Sequence, residues 1–401
     1  MAAQKREHLL SRGKLADRVN VFLTKAWERG WLPPPDLSPT ALWAAAQKGV
    51  AQAKDAETFG RSEEEVADFR LRLEKLCQAV TDEAQLNALG QTMAYGQLVR
   101  VIRNRLAFGK LWRDQPHLLE TKLADPVIVI GHMRGGTTRI HKLLAADPAH
   151  SHTRYQDAFH PVPSRFCMNR VKSSVELAML GALNPWLQSI HPMAADEVEE
   201  ELAWISAALH HSIYETQWHI PSYSAFSEDR GPAPIYREFA RILRTDAAMR
   251  GNADRPRVMK VPAFAEDLPA MLEQFPGARL VLAHRDREAV FRSAVSLCAN
   301  QMAIQSDHCD LSAIETLWEH KITLRERRMA DTLADWQGPI AKLEFDDLNA
   351  NWQSAIKACY NQLGLPLSEE AEKAMAEQMR GSAKGAHHDH SAQLERFAKQ
   401  S

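Results

Sequence analysis

The apolar run 126-PVIVI-130 leads directly into 131-GHMRGGTTRIH-141, and this junction narrows the fold more than any other stretch of the chain. A short β-branched run ahead of glycines predicts a buried strand. The pattern 139-RIHKLLAAD-147 predicts a helix that starts where the glycines end. Strand, glycine loop and helix in that order make a phosphate cradle. Glycines let backbone N–H groups turn inward, and the helix N-terminus adds positive potential. The spacing is that of the P-loop, GxxxxGK(S/T), except that Thr137 stands at the lysine position. In a nucleoside triphosphatase that lysine neutralises the β- and γ-phosphates while the neighbouring hydroxyl holds Mg²⁺. A loop without it suits a ligand of lower charge. Arg134 then supplies a planar donor fork, and Thr137 and Thr138 add hydroxyl donors.

Three more strands are expected in 257-RVMKVP-262, 278-ARLVLAH-284 and 340-IAKLEF-345, each followed by a helical pattern. The fold class is therefore α/β, a P-loop-like parallel sheet flanked by helices. Ligands of such sheets sit at the carboxyl ends of the strands. Arg285 stands at the end of the third strand, and Ser293 follows eight residues later, about two helical turns on. Together they would grip a second anionic group. Alternatively, Arg285 pairs with Asp286 or Glu288 at a helix start.

Residues 1–120 predict a helical N-terminal annex. Ser38 with Pro39, and Ser62 with Glu65, mark helix starts, and Val66, Phe69, Leu73, Leu76 and Val80 recur on one face. Residues 121–401 would then form the catalytic domain, with an inserted helical acceptor region at about 165–250. The insert is rich in Trp, Met and His. Trp204, Trp218 and Tyr223 are candidates for an aromatic or lipid-like slot, or for core.

Set side by side, the loop and the Arg285…Ser293 pair resemble the sulfotransferases that use 3′-phosphoadenosine 5′-phosphosulfate (PAPS). The stretches 191-HPMAADEVEE-200, 259-MKVPAF-264, 276-PGARLVLAHRD-286 and 343-LEFDDLNANWQSAIKACYNQLGLP-366 extend the likeness to the bacterial branch related to tyrosylprotein sulfotransferases. The resemblance implies that Arg134, Gly135, Gly136, Thr137 and Thr138 hold the 5′-phosphosulfate, and that Arg285 and Ser293 hold the 3′-phosphate. It also implies that Lys384, in 383-AKGAHHDHSAQ-393, touches the nucleotide late in the chain. The chain departs from the pattern at three places. Met133 replaces proline, Gly135 replaces serine and is expected to loosen the loop, and Phe345 replaces a common tyrosine.

Sulfuryl transfer needs the leaving phosphate stabilised, the acceptor deprotonated and the partners in line. Arg134 is assigned to the leaving group and Lys260, at a strand end, to the sulfuryl oxygens, unless Lys260 only snorkels at the surface. The resemblance puts a carboxylate three residues before His160-Pro161. Asp157 is accordingly the expected general base and His160 the second candidate. The plainer role of Asp157 is an Asx-turn. Glu197 and Glu200 follow a helix start, where acidic residues favour the dipole, or they face the acceptor.

Bulk properties set limits on the alternatives. Lys+Arg number 49 against 51 Asp+Glu, so no basic excess points to nucleic acid. The five cysteines are scattered without a CxxC, which suggests neither zinc nor a disulfide framework. The consecutive 387-HHDH-390 lacks metal-site spacing, and no metal is expected. The N-terminus lacks an apolar signal region and no run spans a membrane, so a cytoplasmic protein is expected. The expected partner is a small-molecule or lipid acceptor, and the annex face leaves room for a homodimer. The rival readings are a nucleotide-binding protein without catalysis and a P-loop nucleotide kinase.

Overall fold

Strand β1, Val127–Ile130, is buried along its whole length, which is why it reads as unbroken apolar sequence. The computed structural model describes residues 6–52, 55–163 and 168–382. In it β1 pairs in parallel with β2, Val258–Lys260, on one side and with β3, Arg279–His284, on the other. The fourth strand, β4, Ile340–Glu344, pairs in parallel with β3, so the order is β2-β1-β3-β4. All four expected strands form, and all point the same way.

Both faces of the sheet are covered. Ile128, Ile130, Met259 and Leu280 pack with Phe239 and Leu243 of the helix Ala233–Arg250. The alternate residues Val127, Val129, Val258 and Val281 pack with three other helices. These are Thr137–Ala145, Phe345–Leu363 and Glu369–Ser382, which contribute Leu144, Ile356 and Met375 among others. Burying a side chain of this size stabilises by about 1.5–3 kcal/mol. The register Val129↔Lys260 and Ile130↔Leu282 brings the carboxyl ends of β1, β2 and β3 side by side. Whatever follows each of these strands therefore meets at one edge.

Ahead of the sheet, the chain forms the helices Lys14–Glu28, Pro39–Gln47, Glu63–Asp82 and Ala88–Asp114. Ser62 and Glu65 close the expected capping box. Phe69, Leu73, Leu76, Leu98 and Ile102 share one core with Leu209, Ile213, Tyr214 and Trp218 from the segment between β1 and β2. The early helices and that segment thus bury their apolar faces against each other. Trp204, Trp218 and Tyr223 are core residues rather than slot lining. Trp218 Nε1 donates to Gln305 Oε1 at 2.9 Å, and Trp204 Nε1 donates to the Asp157 carbonyl at 3.0 Å. Among the described residues, no helix is long and apolar enough to cross a membrane.

Candidate active site

The loop from β1 to the helix Thr137–Ala145 is held in a tight shape. The Gly135 N–H donates to the His132 carbonyl at 3.0 Å, and Arg134 adopts φ +67°, the left-handed region. A Cβ on Gly135 would lie 2.9 Å from that same carbonyl. Gly135 therefore closes the turn, contrary to the loosening expected from the sequence. Gly136 sits at φ +88° as the residue before the helix, and a Cβ there would lie 2.6 Å from the Phe345 ring. The first helical N–H groups carry no side-chain cap.

Three cations gather around this helix start. Arg134 Nε donates to Ser293 Oγ at 2.9 Å and its Nη1 to the Ile190 carbonyl at 2.9 Å. Arg285 Nη1 donates to the Arg134 carbonyl at 2.7 Å, and its guanidinium lies 4.2 Å from the centre of the Phe345 ring. Lys260, at the end of β2, donates from Nζ to Thr138 Oγ1 at 3.0 Å and ion-pairs with Glu200. Burial, then the charge of Arg285, brings Arg134 down to about 10, and burial lowers Arg285 as well. Cations depressed by desolvation, and for Arg134 by a neighbouring cation too, gain from an incoming anion. Sequence reading placed Arg285 and Ser293 together on a second anion. The structure joins each of them to Arg134 as well, so loop and pair form one continuous surface.

The expected base is elsewhere. Arg154 Nε donates to Asp157 Oδ2 at 2.7 Å, and Arg250 Nη1 donates to the same oxygen at 3.0 Å. Asp157 does not line the cavity described below, and its oxygens are engaged by two guanidinium groups. The capping role beside Arg154 is what it performs. His160 does line the cavity, with Nε2 3.1 Å from Glu176 Oε2. Burial raises the Glu176 carboxyl, but the hydrogen bond and charge of His160, with Arg100 and Lys172, bring it below the usual range. Glu197 pairs at the surface with Lys142 at 2.8 Å. Glu200 lines the cavity against Lys260, the second of the two roles its sequence position leaves open. Its neighbour Glu201 is fully buried, which pushes its carboxyl up to about 7, and it accepts the Lys260 backbone N–H at 3.0 Å.

These groups open onto a cavity of about 1230 Å³. Arg134, Gly136, Thr137, Thr138, Lys260, Arg285 and Ser293 form its polar end. Val50, Met93, Leu180, Leu183, Ile213 and Leu297 give its remainder a largely apolar wall, into which Arg100, Arg103, Lys172 and Glu176 also reach. Gly135 is not on this wall. Lys384 and the 387-HHDH-390 run lie outside the described residues. Among the described residues, two groups bring three possible metal ligands together: His191, Glu199 and Glu200, and His211, Glu215 and Glu228. A lysine ammonium lies against each, Lys260 on Glu200 and Lys321 on Glu228.

Comparison with known proteins agrees with this fold. Stf3 of Mycobacterium bovis, an omega-hydroxy-beta-dihydromenaquinone-9 sulfotransferase, is 22% identical over 285 residues, 65% of this chain and 67% of that one. The crystal structure of sulfotransferase STF1 from Mycobacterium tuberculosis H37Rv superposes with a TM-score of 0.75 at 27% identity, covering 84% of this chain and 92% of that one. Sulfotransferase STF9 from Mycobacterium avium shares the fold at a TM-score of 0.76 and 18% identity, over 87% and 89% of the two chains. Residues 126–369, from just before β1 to beyond β4, match the family model described as "Sulfotransferase family", and the chain belongs to that family.

Proposed function

We propose that this enzyme moves the sulfuryl group of PAPS to a hydroxyl of an apolar, lipid-like acceptor. The observation that carries the reading is the convergence of Arg134, Lys260 and Arg285 on an open helix start at the mouth of an apolar chamber. A donor with a singly charged transferable group and a nearby phosphate fits three cations and a loop that Gly136 keeps free of side chain. Arg134 and the loop N–H groups stabilise the leaving phosphate as charge develops on it. Lys260 faces the sulfuryl oxygens, so these side chains carry the charge that a metal carries in nucleoside triphosphatases. Arg285 and Ser293, each bonded to Arg134, are left for the 3′-phosphate.

Glu200 is the best-placed proton acceptor. It shares Lys260 with Thr138 and faces the chamber, so an acceptor hydroxyl beside the donor lies within its reach. His160 with Glu176 lines the acceptor wall and positions the acceptor. The lipid class rests on the apolar lining, and Stf3 is itself named for a lipid-quinone hydroxyl.

The test is calorimetry with 3′-phosphoadenosine 5′-phosphate on wild type and Arg285→Ala. Removing a charge-assisted phosphate contact weakens binding roughly tenfold or more. Equal affinity in both proteins overturns the 3′-phosphate assignment. Glu200→Gln is expected to keep nucleotide affinity while turnover with a long-chain alcohol falls by roughly 10²–10⁴. Turnover near wild type in that variant removes Glu200 from the mechanism.

A further inference from the structure

The helix Asn169–Leu183 is apolar on the side that faces outward. Val171, Val175 and Met179, spaced by four, are 51%, 53% and 62% exposed, and Met168 just before the helix is 41% exposed. Ala178 and Ala182 share that outward side, and the exposed charges of the helix, Arg170 and Lys172, stand at its flanks. The inward side carries buried Ser173 and Leu177. A surface helix bathed in water has the opposite pattern.

Two observations say what covers this face. The first is continuity with the chamber. Lys172, Glu176, Met179, Leu180 and Leu183 of this helix line the cavity, and Met179 is at once cavity wall and exposed surface. The apolar face therefore runs up to the rim of the acceptor chamber. The second is charge. Helix Lys14–Glu28 adjoins it, with Val19 and Leu23 packed in one cluster with Leu183. Its exposed residues include Lys14, Arg18 and Lys25 among Leu15 and Phe22, which are 43% and 56% exposed. Trp31 follows at 60% exposed, with the Arg29 guanidinium 4.9 Å from its ring centre. Apolar and aromatic side chains among cations are the composition of helices that lie in a lipid interface. A two-fold copy of this chain on the same face would instead bring like charges together.

We propose that this face docks on an anionic lipid bilayer. Val171, Val175 and Met179 enter the acyl boundary, and Lys14, Arg18, Lys25 and Lys172 meet headgroup phosphates. The acceptor then passes from the bilayer into the chamber over Met179 without crossing water. That last step rests on the lipid-acceptor reading above, whereas the docking does not.

The experiment is co-sedimentation of the full chain with phosphatidylcholine vesicles, with and without phosphatidylglycerol. Wild type is expected to bind the anionic vesicles, and added salt to weaken binding. Val171→Glu with Val175→Glu, both outside the cavity wall, should lower vesicle binding roughly tenfold or more while affinity for 3′-phosphoadenosine 5′-phosphate stays level. Wild type that ignores anionic vesicles, or a double variant that binds them equally, overturns the proposal. So does light scattering that shows a vesicle-blind wild-type dimer turned into monomers by the double variant. Vesicle binding by a wild type that ignores the nucleotide upholds the docking face and sinks the donor assignment instead.

Discussion

Gly136 shows how one backbone position carries the donor site. An L-residue at φ +88° is strained, and its Cβ would lie 2.6 Å from Phe345. Holding such a conformation costs about 1–3 kcal/mol. Gly136→Ala is accordingly expected to lose that much stability in chemical denaturation, and to bind 3′-phosphoadenosine 5′-phosphate less tightly because the first helical N–H groups shift. Adding Phe345→Ala relieves the contact but not the dihedral, so recovery should be partial. Full recovery in the double variant would mean that the contact alone demands glycine. Arg134 shares the same economy of backbone, at φ +67°, with its carbonyl fixed by Arg285 and its Nε fixed by Ser293. The charge that replaces the missing loop lysine is thus supplied from three directions. Two of them, β2 and β3, are far from the loop in sequence.

At the scale of elements, the legible parts of the chain are those where the physics is local. All four strands were apolar runs punctuated by glycine, proline or charge, and the loop was readable because its spacing fixes a phosphate cradle. The misplaced residue is Asp157. One partner, Arg154, lies three residues before it and is the local capping role the sequence offered, but the second, Arg250, is 93 positions away and is invisible to local reading. Glu200 is the reverse case. Its ion pair with Lys260 forms only when β2 docks beside β1, and helix-start statistics alone made it look ordinary.

The helix that follows the loop carries its own prediction. His141, buried on that helix, lies with Nε2 3.3 Å from the Val258 carbonyl of β2. Burial, and then the charge of Lys260, lowers it to about 3, so the fold holds it neutral. The unfolded chain takes up that proton below about pH 6.5, and the native state does so only near pH 3. Stability from this site is present above pH 6.5 and lost as pH falls towards 3, by roughly 3–5 kcal/mol at the bottom of the window. His141→Gln keeps a polar group against Val258 but removes the titration. Its urea midpoint should fall less than that of wild type between about pH 7 and pH 4.5. Parallel curves would show that the proton is taken up elsewhere.

Across the whole molecule, a buried ionic cluster joins the segments that bear the site. Lys321, from the helix Leu311–Ala334, has its ammonium 2.6 Å from Glu266, 2.8 Å from His211 Nε2 and 2.9 Å from Glu228. Glu215 stands 3.4 Å away, and Arg325 donates to Glu266 at 2.7 Å. Glu266 follows closely on β2, which ends in Lys260, while His211, Glu215 and Glu228 belong to the segment between β1 and β2. The helix bearing Lys321 packs on Arg287–Gln305, which carries Ser293. Burial pushes the Glu266 carboxyl up, yet Lys321 and Arg325 overcome this and hold it well below the usual range. Glu215, where burial prevails, is raised. A cluster so closely matched adds little net stability, but removing one member strands the others in a dry interior. Lys321→Met is therefore expected to cost about 3–5 kcal/mol in denaturant unfolding. Lys321→Met with Glu266→Gln removes a charge of each sign and should lose less than the sum of the two single variants. Strictly additive losses would show that the two groups do not act as a pair. Because the cluster braces both the strand that ends in Lys260 and the segment between β1 and β2 that carries Glu200, the single variant should also weaken nucleotide binding, and the double variant should restore part of it.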